Sequence, residues 1–572
     1  MGRAIYEGYL VRRRLATFGT LTEALDYAAL GSGELTFNTP HGEIESLLSY
    51  TALREQARDF AKSLAGEYPR GAHIGLVAET TPDFVIAFMA CQYAGLVPAP
   101  VSLPPSFGGK ETYQVRFKRM REAASLTATL APSHLFSIYD ACVEDDQSIR
   151  PIKASGWSDQ PDGPLRPWSA DSPCYIQFSS GSTSEPKGIY ATQASVVANC
   201  QAITRHGLQV SDGDRAVSWL PLYHDMGLVG FFIAPLMSQL SVDYLKTSDF
   251  ARRPISWLKL ISQRRATLSY SPSFGFDLCA RRYRGEELDL SSWRAAGIGG
   301  DMVQEKILET FAETFSNVGF DAASFVASYG LAEATLAVSF APLGEGCRRD
   351  RVDAVALRFD DEIRSASPNR EAEKVRDFVL CGKPIPGHDV RIRSASGESL
   401  KDRKIGSIEV RGPSIAAGLY RAGTGVIPLT DEDGWLDTGD LGYWLDGQLV
   451  LTGRWKDLII INGRNVWPQD VEWSVQESSD GKISRCVVFD ASQLVIGDRI
   501  VLLAEFRGRD ENDRETLRRD IASAARTTTG APVEVVLVPP RTLPVTSSGK
   551  LSRSAARTKF LDHGFEVAPA ET

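Results

Sequence analysis

Between Ser179 and Gly188 the chain reads Ser-Ser-Gly-Ser-Thr-Ser-Glu-Pro-Lys-Gly, directly after the apolar run Cys174–Phe178. Hydroxyl side chains and backbone N–H groups at this density can converge on phosphate oxygens, with Lys187 near enough to offset their charge. The spacing is not that of a Walker A loop, because Lys187 lies between Pro186 and Gly188 rather than opening a helix. The competing reading is a plain Ser/Gly surface loop. Five more segments set polar groups among apolar or small residues: Trp219–Leu228 (WLPLYHDMGL), Ser328–Glu333 (SYGLAE), Asp437–Leu441 (DTGDL), Gly453–Ile459 (GRWKDLI) and Ser547–Leu551 (SSGKL). Each has a bland alternative when taken alone. Asp440 could be a turn residue, Lys550 a solvated lysine, Tyr329 plain core and Glu333 an exposed helix position. No G-x-S-x-G elbow occurs, which disfavours a serine hydrolase.

Taken together and in this order across Ser179–Leu551, the segments resemble the adenylate-forming superfamily. That group includes acyl-CoA synthetases, non-ribosomal peptide adenylation domains and firefly luciferase, and the resemblance covers nearly the whole chain. Within it the chain is most similar to the fatty acyl-AMP ligases. The HisAspMetGlyLeu stretch at His224–Leu228, SerTyrGlyLeuAlaGluAlaThrLeu at Ser328–Leu336, and an excursion before CysGlyLysProIlePro at Cys381–Pro386 carry that likeness. Such enzymes activate a fatty acid with ATP and pass the acyl group to a carrier protein, generally in preference to free coenzyme A.

The resemblance implies a set of roles. A carboxylate is a poor electrophile, and joining it to AMP supplies a leaving group. Its oxygen attacks the α-phosphorus in line, so catalysis is positioning and charge stabilisation without a protein nucleophile. Ser179, Ser180, Gly181, Ser182, Thr183 and Lys187 would hold the phosphates of ATP. Glu333 would hold Mg²⁺, a hard cation that takes oxygen ligands. Tyr329 would stack on adenine within Ser328, Gly330, Leu331 and Ala332. Asp440 would accept the ribose hydroxyls with Arg454 assisting, and Lys550 would be the catalytic lysine. His224 is assigned to positioning or gating at the wall of an acyl tunnel lined in part by Met226–Leu236, since an ionised carboxylate needs no general base. Gly299-Gly300-Asp301-Met302 stands where relatives commonly have Gly-Ala-Glu-Pro, so Asp301 keeps the charge beside adenine with a shorter reach. Lys456 falls at the family's hinge position. Trp467 replaces a usual tyrosine, without a functional account from sequence.

These residues need a scaffold. His73–Ala78 reads as a buried strand, followed by a helix with Thr81 as N-cap, Pro82 at its first position and Gly95 at its end, and then by the strand Val97–Val101. This βαβ unit predicts a parallel sheet and an α/β fold. Cys174–Phe178, Ala216–Leu220 and Phe325–Tyr329 read as further strands. Val303, Ile307, Leu308, Phe311 and Phe315 mark one helix face, with Asp301 and Gln304 as its capping box. Gly344–Asp377 reads as a charged insertion. The expected organisation is a large N-terminal adenylation domain of βαβ subdomains over 1–453 and a small mobile α+β domain over 454–572. In the latter, Leu517, Ile521, Ala524 and Ala525 face inward and Arg514, Arg518 and Arg519 face out, where a carrier protein could dock.

Bulk properties agree. The 572 residues are 43% apolar and 24% charged, which excludes global disorder. A net charge of -9 argues against nucleic acid as a partner. The eight cysteines form no C-x-x-C pair, so neither a zinc framework nor a disulfide scaffold is expected. No apolar run is long enough to span a bilayer, and no secretory leader is evident, which predicts a cytoplasmic protein. The predicted activity is ATP- and Mg²⁺-dependent conversion of a fatty acid to acyl-adenylate, with transfer to the phosphopantetheine thiol of a separate acyl carrier protein. The alternatives are an acyl-CoA synthetase, a luciferase-like oxygenase and a non-catalytic nucleotide or acyl-adenylate sensor.

Overall fold

The computed structural model describes residues 11–104, 110–140, 149–157, 161–179, 186–354, 357, 359, 362–367, 375–461, 464–492, 499–508, 510–545 and 551–562. His73–Val77 and Val97–Val101 pair in parallel, joined by the helix Pro82–Ala94. The βαβ unit therefore forms where the sequence places it. Gly95 ends the helix at φ 71°, a left-handed value that costs glycine little. Ala128–Ala131 and Ile149–Pro151 complete four parallel strands.

A larger sheet of nine strands runs in the order Lys383–Pro384, Ala337–Phe340, Phe325–Gly330, Ala295–Ile298, Leu268–Ser271, Arg215–Ser218, Ser241–Leu245, Glu34–Asn38, Ile44–Ser49. The six from Phe325–Gly330 to Glu34–Asn38 are parallel, and antiparallel strands close both edges. Parallel strands are stable only when both faces are covered, and Leu268–Ser271 and Ala295–Ile298 are buried at every residue. Ligands of open α/β sheets bind outside the carboxyl ends of the strands. Here those ends lead into Trp219, Pro272–Ser273, Gly299–Asp301 and Ser328–Gly330.

Two four-stranded sheets flank this body. One joins the hairpin Pro173–Ser179/Lys187–Thr192 to Gly418–Arg421 and Gly425–Ile427. The other runs Asp389–Arg393, Gly406–Arg411, Leu436–Leu445, Gln448–Arg454. The predicted insertion contains a two-stranded ribbon, Arg349–Asp353 paired antiparallel with Val375–Val379. Leu357 and Ile363 are buried beside it, while Val355 lies outside the described residues. From Ile459 onward the chain builds apolar clusters of its own, in which Leu517, Ile521 and Ala525 are buried. The helices Pro468–Ser478, Glu511–Thr529 and Arg553–Leu561 pack there around the sheet Ile483–Asp490, Ile500–Phe506, Val533–Val538.

One local expectation fails. Leu308, Phe311 and Phe315 do bury one face of the helix Glu305–Phe315, but Asp301 and Gln304 form no capping box. The helix starts at Glu305, which leaves Asp301 out of reach. Its carboxylate instead accepts from Ser273 N and Ser273 Oγ, both at 3.3 Å, at the N-terminus of Ser273–Arg282. The arginines of the Glu511–Thr529 helix lie off its buried face, with Arg519 exposed, and are paired along the helix. Arg514 meets Glu511, and Arg518 and Arg519 both meet Glu515, at helical i,i+3 and i,i+4 spacing. Among the described residues the cysteines are free thiols, and no helix is long and apolar enough to cross a membrane.

Candidate active site

The Ser/Thr/Gly-rich segment joins two strands of a hairpin, with Ser179 opposite Lys187 across its base. Ser180, Gly181, Ser182 and Thr183 lie outside the described residues. Lys187 is exposed, and the hairpin is held against Gly418–Arg421 by antiparallel pairing.

Ser328–Leu336 leaves the carboxyl end of a parallel strand and doubles back. Leu331 N donates to Leu336 O at 2.8 Å. Gly330 is required at the crossing, since a Cβ there would lie 1.8 Å from Leu336 O. Thr335 sits at φ 68° and ψ -57°, and Leu336 N donates to Ala334 O at 2.8 Å, which together make a γ-turn of the strained, positive-φ kind. Two fixtures hold it. Thr335 Oγ1 donates to Ser414 O at 2.7 Å, and the fully buried Asn199 clamps the far side. Asn199 Nδ2 donates to Ala337 O at 2.8 Å and Ala334 O at 3.4 Å, while its Oδ1 accepts from Ala337 N at 3.0 Å. Glu333 is thus carried on a loop fixed from both sides. Asn199 escaped the sequence reading because a lone Asn in a helix gives no signal.

Asp440 is not the turn residue of its segment. Asp437 takes that part, accepting from Gly439 N at 2.9 Å, and Asp440 follows on the strand with its side chain buried. Tyr329 Oη donates to Asp440 Oδ2 at 2.7 Å, and Arg454 Nε donates to Oδ1 at 3.0 Å from the directly paired position of the next strand. Burial, reinforced by the charge of Asp440, holds the Tyr329 hydroxyl well above its ordinary pKa, so it stays a donor. The Tyr329–Asp440 bond was not foreseen.

Glu333 lies in the same electrostatic neighbourhood. Burial raises its pKa above the usual carboxylate value; Arg454 opposes this, and Asp225 and Asp440 add to it. A half-buried carboxylate disfavoured as an anion by two like charges suits a site completed by a cation. Mg²⁺ is commonly held by one or two protein carboxylates together with water and phosphate oxygens, so Glu333 fits it without a protein cage. Among the described residues no group of three His, Cys, Asp or Glu side chains is gathered as a metal cage. His224 Nδ1 lies 2.5 Å from Asp225 Oδ1 just ahead of the short helix Asp225–Leu228. The structure therefore brings His224, Asp225, Glu333, Arg454, Asp440 and Tyr329 into one connected set. Asp301, two residues beyond Gly299, which abuts Ser328, accepts from Ser273.

Lys550 lies outside the described residues, but the base of its loop does not. Val545 bridges Leu551, and Ser552 N donates to Pro544 O at 2.9 Å. Three residues after Lys550, Arg553 forms a bidentate pair with Glu472 at 2.9 and 2.6 Å and reaches Asp457, beside Lys456, at 3.0 Å. Trp467 now has a structural account. Its ring covers Gly453, where a Cβ would lie 2.6 Å from it, and belongs to one apolar cluster with Val352 and Phe378 of the ribbon. Arg376 of the ribbon stands over this ring at 5.5 Å and pairs with Asp470 at 3.0 Å. Burial pushes the Asp470 carboxyl up to about 6, with Arg376 opposing the shift.

Residues 35–420 match the family model described as AMP-binding enzyme. The chain is 44% identical over 555 residues to a Caulobacter vibrioides protein that carries the name acyl-CoA synthetase, covering 96% of each. It is 34% identical to the medium-chain-fatty-acid–[acyl-carrier-protein] ligase JamA of Moorena producens, over 94% of this chain and 92% of that one. Among solved structures, one from a study of fatty acyl-adenylate ligases from E. coli and L. pneumophila superposes with a TM-score of 0.90 at 38% identity, covering 96% of this chain and 99% of the other.

Proposed function

The chain belongs to the AMP-binding enzymes of the adenylate-forming superfamily, among the fatty acyl-AMP ligases, and we propose that it passes its activated acyl group to the phosphopantetheine thiol of a separate carrier protein. ATP, when bound, supplies the α-phosphorus and pyrophosphate as leaving group. Asp440 would receive the ribose hydroxyls, its two oxygens being already oriented by Tyr329 and Arg454. Glu333 would hold Mg²⁺, which offsets phosphate charge. Ser179–Thr183 and Lys187 would cradle the phosphates, and Tyr329 with Ser328 and Gly330–Ala332 would bound the adenine. Lys550 would reach the oxygens where negative charge gathers. With the fatty carboxylate already ionised, His224 positions rather than abstracts a proton.

The observation that carries the acceptor reading is the contact between the insertion and the C-terminal region. Arg376 and Phe378 of the ribbon grip Asp470 and Trp467 on the far side of Lys456. Transfer to free coenzyme A would need the segment after Lys456 to swing, and each ~1.4 kcal/mol that holds it back shifts that equilibrium about tenfold. A carrier protein can offset this through its own surface contacts, whereas free coenzyme A has few. The name of the Caulobacter relative favours a second reading, synthesis of acyl-CoA. Incubation with ATP, Mg²⁺ and a fatty-acid series, followed by mass spectrometry, tests the first half-reaction. Accumulated acyl-AMP supports it, and pyrophosphate release without acyl-AMP contradicts it.

A further inference from the structure

The register of the parallel sheet fixes which residues share a face. Tyr270 stands directly opposite Gly297, and Gly297 opposite Val326. Leu268 stands opposite both Ala295 and Ala216. Side chains two apart on a strand share a face, so Ala216, Leu268, Tyr270, Gly297 and Ser328 lie on one side of the sheet. Along that face Ala216 and Leu268 lie deepest, Tyr270 over Gly297 comes next, and Ser328 lies at the carboxyl end.

At the deep end is a narrow apolar cavity. Ala216 and Leu268 form its floor, and Ile203, Gly230, Ala234 and Leu240 are among the residues that cover it. The hydroxyls of Thr204 and Ser238 also line it, but each donates to its own helix, at 2.8 Å to Cys200 O and Ala234 O. The cavity is therefore apolar in effect. Both helical segments over it, Ile203–Gly207 and Val229–Ile233, are wound as π-helix, a widened form that recurs at functional sites. The second follows directly from His224–Leu228.

Tyr270 stands between this cavity and the adenylate end. Its ring lies flat where a side chain on Gly297 would be, since a Cβ there would come within 1.9–2.1 Å of three ring atoms. Only glycine leaves that room. Phe231, from the segment covering the cavity, packs against the ring at 6.1 Å. The Tyr270 hydroxyl is buried on the Ser328 side and makes no hydrogen bond of normal geometry among the described residues. Packing alone would be served by phenylalanine, and an unsatisfied buried hydroxyl is costly.

We infer that Tyr270 sets the acyl chain length of this enzyme, its ring closing the passage from the adenylate end of the sheet face to the apolar cavity beneath Gly230. A fatty acid whose carboxyl group sits beside Ser328 and Gly299 must run down this face. With the ring over Gly297 its tail stops there, and with the ring removed it continues toward Ala216 and Leu268. Gly230 is the cavity position where added bulk would close the extension, because a Cβ there meets only Leu336, at 3.4 Å.

The test measures kcat/KM for acyl-AMP formation across straight-chain acids, with no acceptor present, so its outcome is independent of the carrier reading. Tyr270→Phe keeps the ring and should keep the wild-type length optimum. Tyr270→Ala, with Tyr270→Leu as a better-packed companion, should move the optimum to longer acids, gaining about fourfold per further methylene buried. Adding Gly230→Leu to Tyr270→Ala should return the optimum to its original length. An unchanged length profile in folded Tyr270→Ala and Tyr270→Leu, or a double variant that keeps the longer profile, overturns the inference.

Discussion

Glu333 is a carboxylate the fold disfavours as an anion. Because burial raises its pKa, the folded protein keeps this proton to higher pH than the unfolded chain does. The stability it contributes is therefore fullest at low pH and is lost as pH climbs from the ordinary glutamate value through the folded one. Glu333→Gln removes that cost. We expect a higher Tm than wild type at neutral pH, measured without nucleotide, together with loss of Mg²⁺-dependent adenylation. A lower Tm would mean that the carboxylate is structurally satisfied by the protein itself. Asp440 behaves differently, because Tyr329 and Arg454 both depend on it. Asp440→Ala should weaken binding of a non-hydrolysable ATP analogue by about 1.5–3 kcal/mol for each charged hydrogen bond lost. Calorimetric titration reads this directly, and an unchanged Kd would leave Asp440 a purely structural partner of Tyr329. At this scale the sequence was most legible where types and spacing coincide, as for Tyr329, Glu333, Asp440 and Arg454. It was mute about Asn199, Asp225 and Tyr270, whose roles come from positions that only the folded chain brings together.

Elements were legible where burial follows hydrophobicity. The strand–helix–strand run from His73 to Val101 forms as read because its buried residues are almost all apolar. The ribbon in the insertion was not, although it alternates as a strand should. Its buried positions are Asp350 and Val352 on one strand and Arg376 and Phe378 on the other, with Val379 at its end, so two charged residues mask the pattern. Asp350 is satisfied by Arg403 at 2.8 Å and Tyr443 at 2.7 Å, and Arg376 is ion-paired with Asp470 at 3.0 Å although its Nε and Nη1 make no hydrogen bond of normal geometry among the described residues. Breaking a buried ion pair costs about 3–5 kcal/mol, since the remaining charge stays buried. Arg376→Ala should therefore loosen the contact between the ribbon and the Pro468–Ser478 helix. The expected readout is faster proteolysis near Lys456 and at least about a tenfold rise in thioester formation with coenzyme A. Unchanged proteolysis and unchanged thioester yield would show that Trp467 packing alone sets the pose. The same pair carries a pH signature. Burial raises the Asp470 carboxyl to about 6, so folding stability falls as pH rises from the ordinary aspartate value to about 6, whereas the ion pair with Arg376, which opposes that shift, is complete only once Asp470 is ionised.

At the scale of the whole molecule, one sheet face ends in the residues that would handle nucleotide and leads inward to an apolar cavity, while the C-terminal region is pinned beside it through the insertion. The motif order along the sequence was enough to anticipate the two-domain α/β fold and the activation of a fatty acid. It could not reveal what pins the C-terminal region, because Trp467, Gly453 and Arg376 meet only through packing. The acceptor thiol separates a carrier-dependent ligase from an acyl-CoA synthetase. The intact enzyme should be given ATP, Mg²⁺, a fatty acid and equal concentrations of coenzyme A and a phosphopantetheinylated carrier protein, with both thioesters quantified by mass spectrometry. The predicted result is acyl-carrier as the dominant thioester, with acyl-AMP accumulating when coenzyme A is the sole acceptor. Acyl-CoA formed as fast as the adenylate would contradict it.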